Sequence, residues 1–314
     1  MIPIEWLLAA QKRIKGIISE TPLTYDETLG VFFKWENQQT TGSFKLRGAT
    51  NKILALQDWE RENGIITCSA GNHGQGCALV AQKLNIKCDI YASSHAVPVK
   101  IAAMKALGAE VHPVEGDYYA AEKEAIRQAE ITGNIFISPY NDVQVISGQG
   151  TIGLELSIQT NQFEKISSIV VPVGAGGLLS GIGVSLESLK QKPRLIGVQS
   201  IASQYMHSIF YSGTQEGIIE TESLADGLSG EVDHQSITIP LVDKYADEIT
   251  LVTEKEIEEA IQYAWQIHQQ VIEGSGAVGL AAILSHKVTD LPAIVIITGG
   301  NIQPEIHQLI IREH

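Results

Sequence analysis

The segment SIVVPVGAGGL, residues 168–178, contains the pattern that decides the fold. Its β-branched beginning predicts a buried strand over 168–173, and the glycine-rich end predicts a tight loop at the start of an apolar helix. Ligands of open α/β sheets bind where strands end, and glycines let backbone N–H groups approach an anion. We therefore predict a phosphate-binding loop over 174–178, with a plain tight turn as the alternative. The glycine spacing differs from G-x-G-x-x-G, which favours a phosphorylated cofactor smaller than a dinucleotide.

Short apolar runs alternate with helix-like segments through most of the chain. The predicted strands are 65–68, 87–92, 110–114, 135–138, 168–173, 194–199, 248–253 and 293–298. Helices are predicted between them, whereas residues 200–240 show no clear periodicity. This alternation predicts an α/β fold with mainly parallel strands covered by helices. Residues from about 65 to 143 make one compact αβ block, and the later strands belong to a second.

The segment TTGSFKLRG, residues 40–48, places Lys45 at the start of a predicted helix over 45–56. A lysine forms a Schiff base when its amine is partly desolvated or lies near another cation, because it is then neutral more often. We expect Phe44 to supply an apolar wall and Arg47 the nearby cation. A solvated lysine at a helix start is the alternative for this segment taken alone.

Two more loops follow predicted strands. SAGNHGQG, residues 69–76, comes after the strand that ends at Cys68. This loop offers donors to a carboxylate and, through Asn72, to a phenolate oxygen. The alternative is that Ser69 and Asn72 are helix caps and His73 is a surface imidazole. TGGN, residues 298–301, follows the last predicted strand, and the Thr298 hydroxyl either donates to a ring nitrogen or caps the next helix.

Taken in order, these four segments resemble the pyridoxal-phosphate enzymes of the tryptophan synthase β-like fold, and most of all the threonine dehydratases and serine racemases. GQGT (148–151), ADG (225–227) and VIE (271–273) also match in order. The resemblance implies two open, mostly parallel sheets flanked by helices. It divides the chain into a large cofactor-binding domain, residues 1–64 and 144–314, and a small mobile αβ domain, residues 65–143. The implied cofactor is pyridoxal 5′-phosphate.

The resemblance also implies the site residues. Lys45 is the catalytic residue and holds the cofactor as a Schiff base, Asn72 bonds the phenolic oxygen, and Thr298 faces the pyridine nitrogen. The implied cofactor-binding residues are Phe44, Lys45, Asn72, Gly174, Ala175, Gly176, Gly177, Leu178, Gly227, Glu273 and Thr298. The implied substrate-binding residues are Ser69, Ala70, Gly71 and His73.

The implied activity is α,β-elimination from a β-hydroxy amino acid, most of all L-threonine or L-serine, which yields a 2-oxo acid and ammonia. Serine racemases of this family carry a second serine on the cofactor face opposite the lysine, where this chain has Ala70. A racemase needs groups on both faces, so an ammonia-lyase is the better interpretation. The alternatives are a racemase, a dehydratase for a bulkier β-hydroxy amino acid, and a catalytically silent cofactor-binding protein.

Composition and charge exclude other classes. The 314 residues include 36 acidic and 22 basic ones, a net charge of -14, and contain no basic run, which argues against nucleic acid and anionic membranes as partners. No export signal and no run of about 18 apolar residues occurs, so we expect a cytoplasmic protein. Cys68, Cys77 and Cys88 lack C-x-x-C spacing, and we expect reduced thiols rather than a zinc site or disulfides.

Two departures from the family pattern concern a metal site and the side chain of the substrate. Many relatives bind a divalent cation with a Glu, a carbonyl and an Asp at the places that are here Gln199, Ser203 and Tyr205, so we expect no metal there. Hydroxyaspartate-specific relatives have an arginine near residues 118–121, and this chain has none there. By analogy with the family, a homodimer is expected.

Overall fold

The computed structural model describes residues 2–160 and 163–312. The strands are β1 Leu23–Asp26, β2 Val31–Trp35, β3 Ile65–Cys68, β4 Cys88–Ser93, β5 Glu110–Val114, β6 Ile135–Phe136, β7 Ser168–Pro172, β8 Arg194–Ser200, β9 Glu248–Val252 and β10 Ala293–Ile297. The helices are α1 Ile4–Ile14, α2 Lys45–Ala55, α3 Asp58–Asn63, α4 Asn72–Leu84, α5 Pro98–Ala106, α6 Tyr118–Thr132, α7 Val143–Gln159, α8 Gly177–Leu186, α9 Tyr205–Ser212, α10 Thr238–Tyr245, α11 Glu254–His268, α12 Gly274–Leu284 and α13 Pro304–Arg312.

The larger sheet has the strand order β1-β2-β10-β7-β8-β9 within the described residues, and only the β1–β2 pair is antiparallel. Its central strands β7 and β10 are buried along their whole length. Such continuous apolar runs are typical of parallel strands that helices cover on both faces. One apolar core lies between the sheet and α11 to α13, and a second lies between the sheet and α7 to α10.

The smaller sheet has the order β5-β4-β3-β6, with all neighbours parallel. Small residues of α6, such as Ala121 and Ala125, pack on one face against Ile66 and Cys68. On the other face, α4 and α2 form a common core with β3 and β4. The predicted α/β architecture with two open, mostly parallel sheets flanked by helices is therefore confirmed. Among the described residues, no helix has the length and apolar character that crossing a membrane requires.

The strands of the two sheets lie on different sides of the predicted domain division. All four strands of the smaller sheet lie between residues 65 and 143, and all six of the larger sheet lie outside that range. Helix α2 belongs by sequence to the large domain, yet Leu46, Ala49 and Ile53 pack in the core beneath the smaller sheet. The exact boundary and the mobility of the small domain stay predictions.

The parallel arrangement brings separate loops together. In the larger sheet β7 and β10 are neighbours, so the loops after Pro172 and after Ile297 leave the same edge. The loop after Cys68, at the end of β3, meets the loop after Ile297 from the smaller sheet, since Asn72 accepts a hydrogen bond from Asn301. The carboxyl ends of both sheets therefore face one place, where α/β proteins bind their ligands.

Candidate active site

A cavity of about 220 Å³ lies where the carboxyl ends of the two sheets meet. Every site residue predicted from the sequence lines it, and these are Phe44, Lys45, Ser69, Ala70, Gly71, Asn72, His73, Gly174, Ala175, Gly176, Gly177, Leu178, Gly227, Glu273 and Thr298. The fold thus assembles residues that are up to 254 positions apart in sequence, since Phe44 and Thr298 share the same cavity. Their individual roles stay predictions.

Lys45 is the first residue of α2 and is partly buried in the wall of the cavity. Its Nζ donates a hydrogen bond to the Pro139 carbonyl oxygen at 3.1 Å and lies 5.4 Å from the centre of the Phe44 ring. Burial lowers the pKa of the Lys45 amine to about 8, although Cys77 and Glu273 oppose the shift. A substantial fraction of this amine is therefore neutral, and so nucleophilic and basic, near pH 7 to 8.

Arg47 does not serve as the cation beside Lys45, and that expectation was wrong. Its fully buried guanidinium forms paired hydrogen bonds with Glu36, both at 2.8 Å, and with Glu155 at 2.6 and 2.9 Å. Lys34 donates to the same Glu155 at 2.7 Å, so two cations and two carboxylates balance one another away from the cavity. Arg47 anchors α2 through this network, and the lowered pKa of Lys45 comes from burial instead.

The loop between β3 and α4 forms one wall of the cavity. Ser69 Oγ accepts a hydrogen bond from the Gly71 N–H at 3.1 Å, which holds the loop in a tight turn. The Asn72 amide, at the first position of α4, donates to Glu273 Oε1 and accepts from Asn301, both at 2.6 Å. These two bonds fix the orientation of the amide and connect the smaller sheet to the larger.

His73 is buried behind this loop. Its Nε2 lies 3.2 Å from the Ile137 carbonyl oxygen and 3.5 Å from Cys77 Sγ, and no group in the described part of the chain reaches its Nδ1. Burial, together with the nearby charge of Lys45, lowers the pKa of His73 to about 3. The imidazole is therefore neutral at physiological pH and does not act there as an imidazolium acid.

The predicted phosphate loop connects β7 to α8. Gly176 has a φ of +84°, a conformation that favours glycine, and α8 begins at the next residue. A Cβ on Gly177 would lie 3.3 Å from the Tyr140 Cα, and one on Gly174 would lie 3.2 Å from the Leu228 Cα. The loop thus packs tightly against Tyr140 and Leu228, while the first N–H groups of α8 have no intrahelical partner and suit an anion.

Glu273 and Thr298 also line the cavity. Burial, with the charge of Asp226, raises the pKa of the Glu273 carboxyl to about 7. The Thr298 hydroxyl donates to the Ser275 carbonyl oxygen at 3.3 Å, and Ser275 Oγ accepts from the Gly227 N–H at 2.9 Å. These contacts hold the Thr298 side chain and the 225–227 turn at the edge of the cavity.

Sequence reasoning missed several residues that line the cavity. They include Cys68, Lys100, Tyr118, Pro139, Tyr140, Gln149, Ser275 and Glu231. Gln149 lies in the GQGT match and was given no role, while Lys100 looks in the sequence like any lysine of an amphipathic helix. Only the contact between the two sheets brings these side chains to one place.

The predicted absence of a metal ion concerns Gln199 and its neighbours. Gln199 is buried at the end of β8, and its Oε1 accepts a hydrogen bond from the His207 backbone N–H at 2.7 Å. That absence stays a prediction. Elsewhere in the described residues, Asp89, Glu110 and His112 lie close together, and Lys87 is paired with Asp89 at 3.0 Å.

The donor set of the cavity fits a phosphorylated aldehyde cofactor. A lysine with a pKa of about 8 is suited to covalent attachment of a carbonyl group. The loop of residues 174–178 presents glycines and a helix N-terminus to a phosphate, and the Asn72 amide and Thr298 hydroxyl lie on the walls where ring substituents would be held. No side chain in the loop from Gly174 to Gly177 is larger than that of Ala175.

Comparison with known proteins places the chain in a family. The sequence model of the family described as pyridoxal-phosphate dependent enzymes matches residues 14–299. The chain therefore belongs to this family, which confirms the predicted family and its cofactor, pyridoxal phosphate.

Three individual similarities agree with this membership. The chain is 39% identical to an L-threonine ammonia-lyase of Thermotoga maritima over all of this chain and 79% of that protein. It is 37% identical to a catabolic L-threonine dehydratase of Escherichia coli K12, over 96% of this chain and 93% of that one. A solved structure of maize serine racemase superposes with a TM-score of 0.91 at 29% identity, covering 100% and 98% of the two chains.

Proposed function

We propose that this protein is a pyridoxal-phosphate-dependent ammonia-lyase that converts L-threonine, L-serine or both to the 2-oxo acid and ammonia. The observation that carries the proposal is the Lys45 amine, whose pKa is about 8 and which lies in one cavity with the 174–178 loop. The names of the Thermotoga maritima and Escherichia coli relatives support threonine as a substrate.

In this proposal, different residues of the chain bind the cofactor, bind the substrate and accept the proton. Pyridoxal phosphate, when bound, supplies an electron sink that stabilises negative charge on the substrate Cα. Lys45 and the 174–178 loop hold the cofactor, and Asn72 and Thr298 orient its ring. The N–H groups at the start of α4, together with Ser69, hold the substrate carboxylate. The freed Lys45 amine accepts the α-proton, since a substantial fraction of it is neutral near pH 7 to 8.

Elimination is favoured over racemisation because of Ala70. The methyl group of Ala70 lines the cavity and holds no exchangeable proton. Racemisation requires a second group that returns a proton to Cα on the opposite face, whereas elimination requires no proton donor on that face. The serine racemase neighbour keeps racemisation as the second candidate. Incubation with L-serine and separate assays of pyruvate and D-serine distinguish the two, and D-serine as the main product would contradict the lyase assignment.

A direct test removes the Lys45 amine. The Lys45→Ala variant should lose oxo-acid release from threonine and serine by at least about 10²-fold to 10⁴-fold, the usual contribution of a positioned base. It should also lose covalent cofactor attachment, measured by borohydride reduction and mass spectrometry. Lys105→Ala, which changes an exposed lysine on α5, is the control and should behave like the wild type.

A screen of β-hydroxy amino acids of both configurations defines the substrate. Release of a 2-oxo acid only from a residue larger than threonine would shift the assignment to a dehydratase for a bulkier substrate. Cofactor binding without any release would favour the catalytically silent alternative. We further propose a cytoplasmic homodimer, for which sedimentation should give twice the chain mass of 34.0 kDa.

A further inference from the structure

Lys100 reaches across the mouth of the cavity. It belongs to α5, beside the smaller sheet, and its Nζ donates to Oδ2 of Asp226 at 2.6 Å. Asp226 lies in a 3-10 turn, Asp226–Leu228, which packs against α12 beside the larger sheet. The Lys100 side chain is 15% exposed and that of Asp226 is 55% exposed, so the ion pair lies where the cavity opens to solvent.

Lys100 also lies directly over the loop assigned to the substrate carboxylate. A Cβ built on Gly71 would be 3.4 Å from Lys100 Cδ and 3.9 Å from its Nζ. Any side chain at position 71 would therefore contact the lysine. An anion held by the Ser69–Asn72 turn would be within a few ångströms of the ammonium, close enough for a direct charge-assisted hydrogen bond.

The charges that line the cavity favour a role for this ammonium in binding an anion. Asp226, Glu231 and Glu273 bring three carboxyl groups to the walls, and the cationic side chains among the described lining residues are Lys45 and Lys100. Lys45 is assigned to the cofactor and His73 is neutral. An incoming amino-acid carboxylate would be repelled by the acidic groups unless Lys100 were available to it.

We propose that Lys100 is a substrate-binding residue that exchanges the Asp226 carboxylate for the α-carboxylate of the amino acid. This rests on the proposed function, because the carboxylate is placed at the 69–73 loop by that assignment. Asp226 then acts as an internal competitor that holds the lysine in position when the site contains no substrate. A simple latch between the two sheets is the rival explanation, in which both partners only keep the cavity closed.

Ligand titrations separate the two explanations. Holoenzyme is titrated with glycine, which cannot undergo β-elimination, and with methylamine, which lacks the carboxylate, and the visible absorbance of the cofactor is followed. Lys100→Met should weaken glycine binding tenfold or more, since a hydrogen bond to a charged group is lost. It should change methylamine binding less than twofold. Equal losses for both ligands would overturn the proposal.

Asp226→Asn is the decisive second variant. If Lys100 exchanges partners as proposed, this variant should bind glycine more tightly and have a lower KM for threonine, because the Asp226 carboxylate no longer competes for Lys100. If the ion pair is only a latch, Asp226→Asn should bind glycine more weakly, as Lys100→Met does. That result would refute the proposed exchange of partners. Lys105→Met is the matched control on the same helix and should leave both affinities unchanged. Where Lys100→Met does not fold, Lys100→Gln replaces it.

The glycine titration does not require turnover. A wild-type protein that binds glycine but releases no oxo acid would contradict the proposed function and leave the Lys100 test valid. A wild type that is active but in which Lys100→Met has an unaltered glycine affinity would contradict the Lys100 assignment alone.

Discussion

At the residue scale, two basic side chains at the start of α2 differ in the charge state that their surroundings favour. Lys45 lies in the cavity wall, where burial without a carboxylate partner in contact favours the neutral amine. Arg47, two residues on, is fully buried but paired with Glu36 and Glu155, and its guanidinium stays charged. Neighbouring positions on a helix face different directions, so one segment supplies both the reactive amine and the anchor that holds it in place.

The pH dependence of cofactor attachment tests the state of Lys45. Only the neutral amine attacks a carbonyl, so the attachment rate of pyridoxal phosphate to the apoprotein should rise with pH and level off above a pKa of about 8. For a lysine with an ordinary pKa, the attachment rate would continue to rise up to about pH 10.4. Stopped-flow absorbance at a series of pH values measures this, and a rate that still rises tenfold per unit above pH 9 would contradict it.

Glu273→Gln is the companion variant for this measurement. Glu273 opposes the lowering of the Lys45 pKa, so removing its charge should move the midpoint of the rate profile below that of the wild type. A midpoint that moves upward would show that the charge of Glu273 does not act on Lys45.

At the element scale, the loop between β7 and α8 depends on the left-handed conformation of Gly176. A Cβ there would lie 2.5 Å from Val242 Cγ2, in addition to the cost of a positive φ. Gly176→Ala should therefore weaken cofactor binding tenfold or more and lower the free energy of unfolding by more than the roughly 1–2 kcal/mol that a positive φ alone costs. Fluorescence titration with pyridoxal phosphate and urea unfolding of the apoprotein measure these two effects.

Gly213→Ala is the matched control for this loop. Gly213 ends α9 with a φ of +78°, yet a Cβ there would have nothing within 4 Å. This variant should lose only the conformational free energy and keep the wild-type affinity for the cofactor. Similar affinity losses in both variants would argue against a phosphate-binding role for the 174–178 loop.

At the scale of the whole molecule, the cavity lies between two sheets that are connected by polar contacts. Asn72 with Glu273 and Lys100 with Asp226 are two of these contacts. If residues 65–143 form a mobile domain, ligand binding should restrain that domain more than the rest. Hydrogen exchange of holoenzyme with and without glycine should show slower exchange in the 69–73 loop and α5, and no change in β10. Equal protection throughout would argue against the mobile domain.

Local patterns were sufficient for some of the strands. Strands β3 and β5 begin and end where they were predicted, because each is a short run bounded by turn residues or a glycine. Helix α9, within residues 200–240, and helix α10, which begins at the end of that region, were not predicted. Their residues Met206 and Val242 are buried only because they pack in the core beneath the larger sheet, and such a contact has no local periodicity.

The sequence by itself determined the α/β class and identified Lys45 and the 174–178 loop as candidate site residues. Strand periodicity, turn chemistry and motif order are properties of contiguous residues, so they can be read without the fold. Only the tertiary structure decided which charges act on one another. It paired Arg47 with Glu155, placed Asp226 beside Glu273, and brought Lys100 over Gly71. Electrostatic effects depend on distance and burial in space, so residues that are separated in sequence set the chemistry that the motifs only suggested.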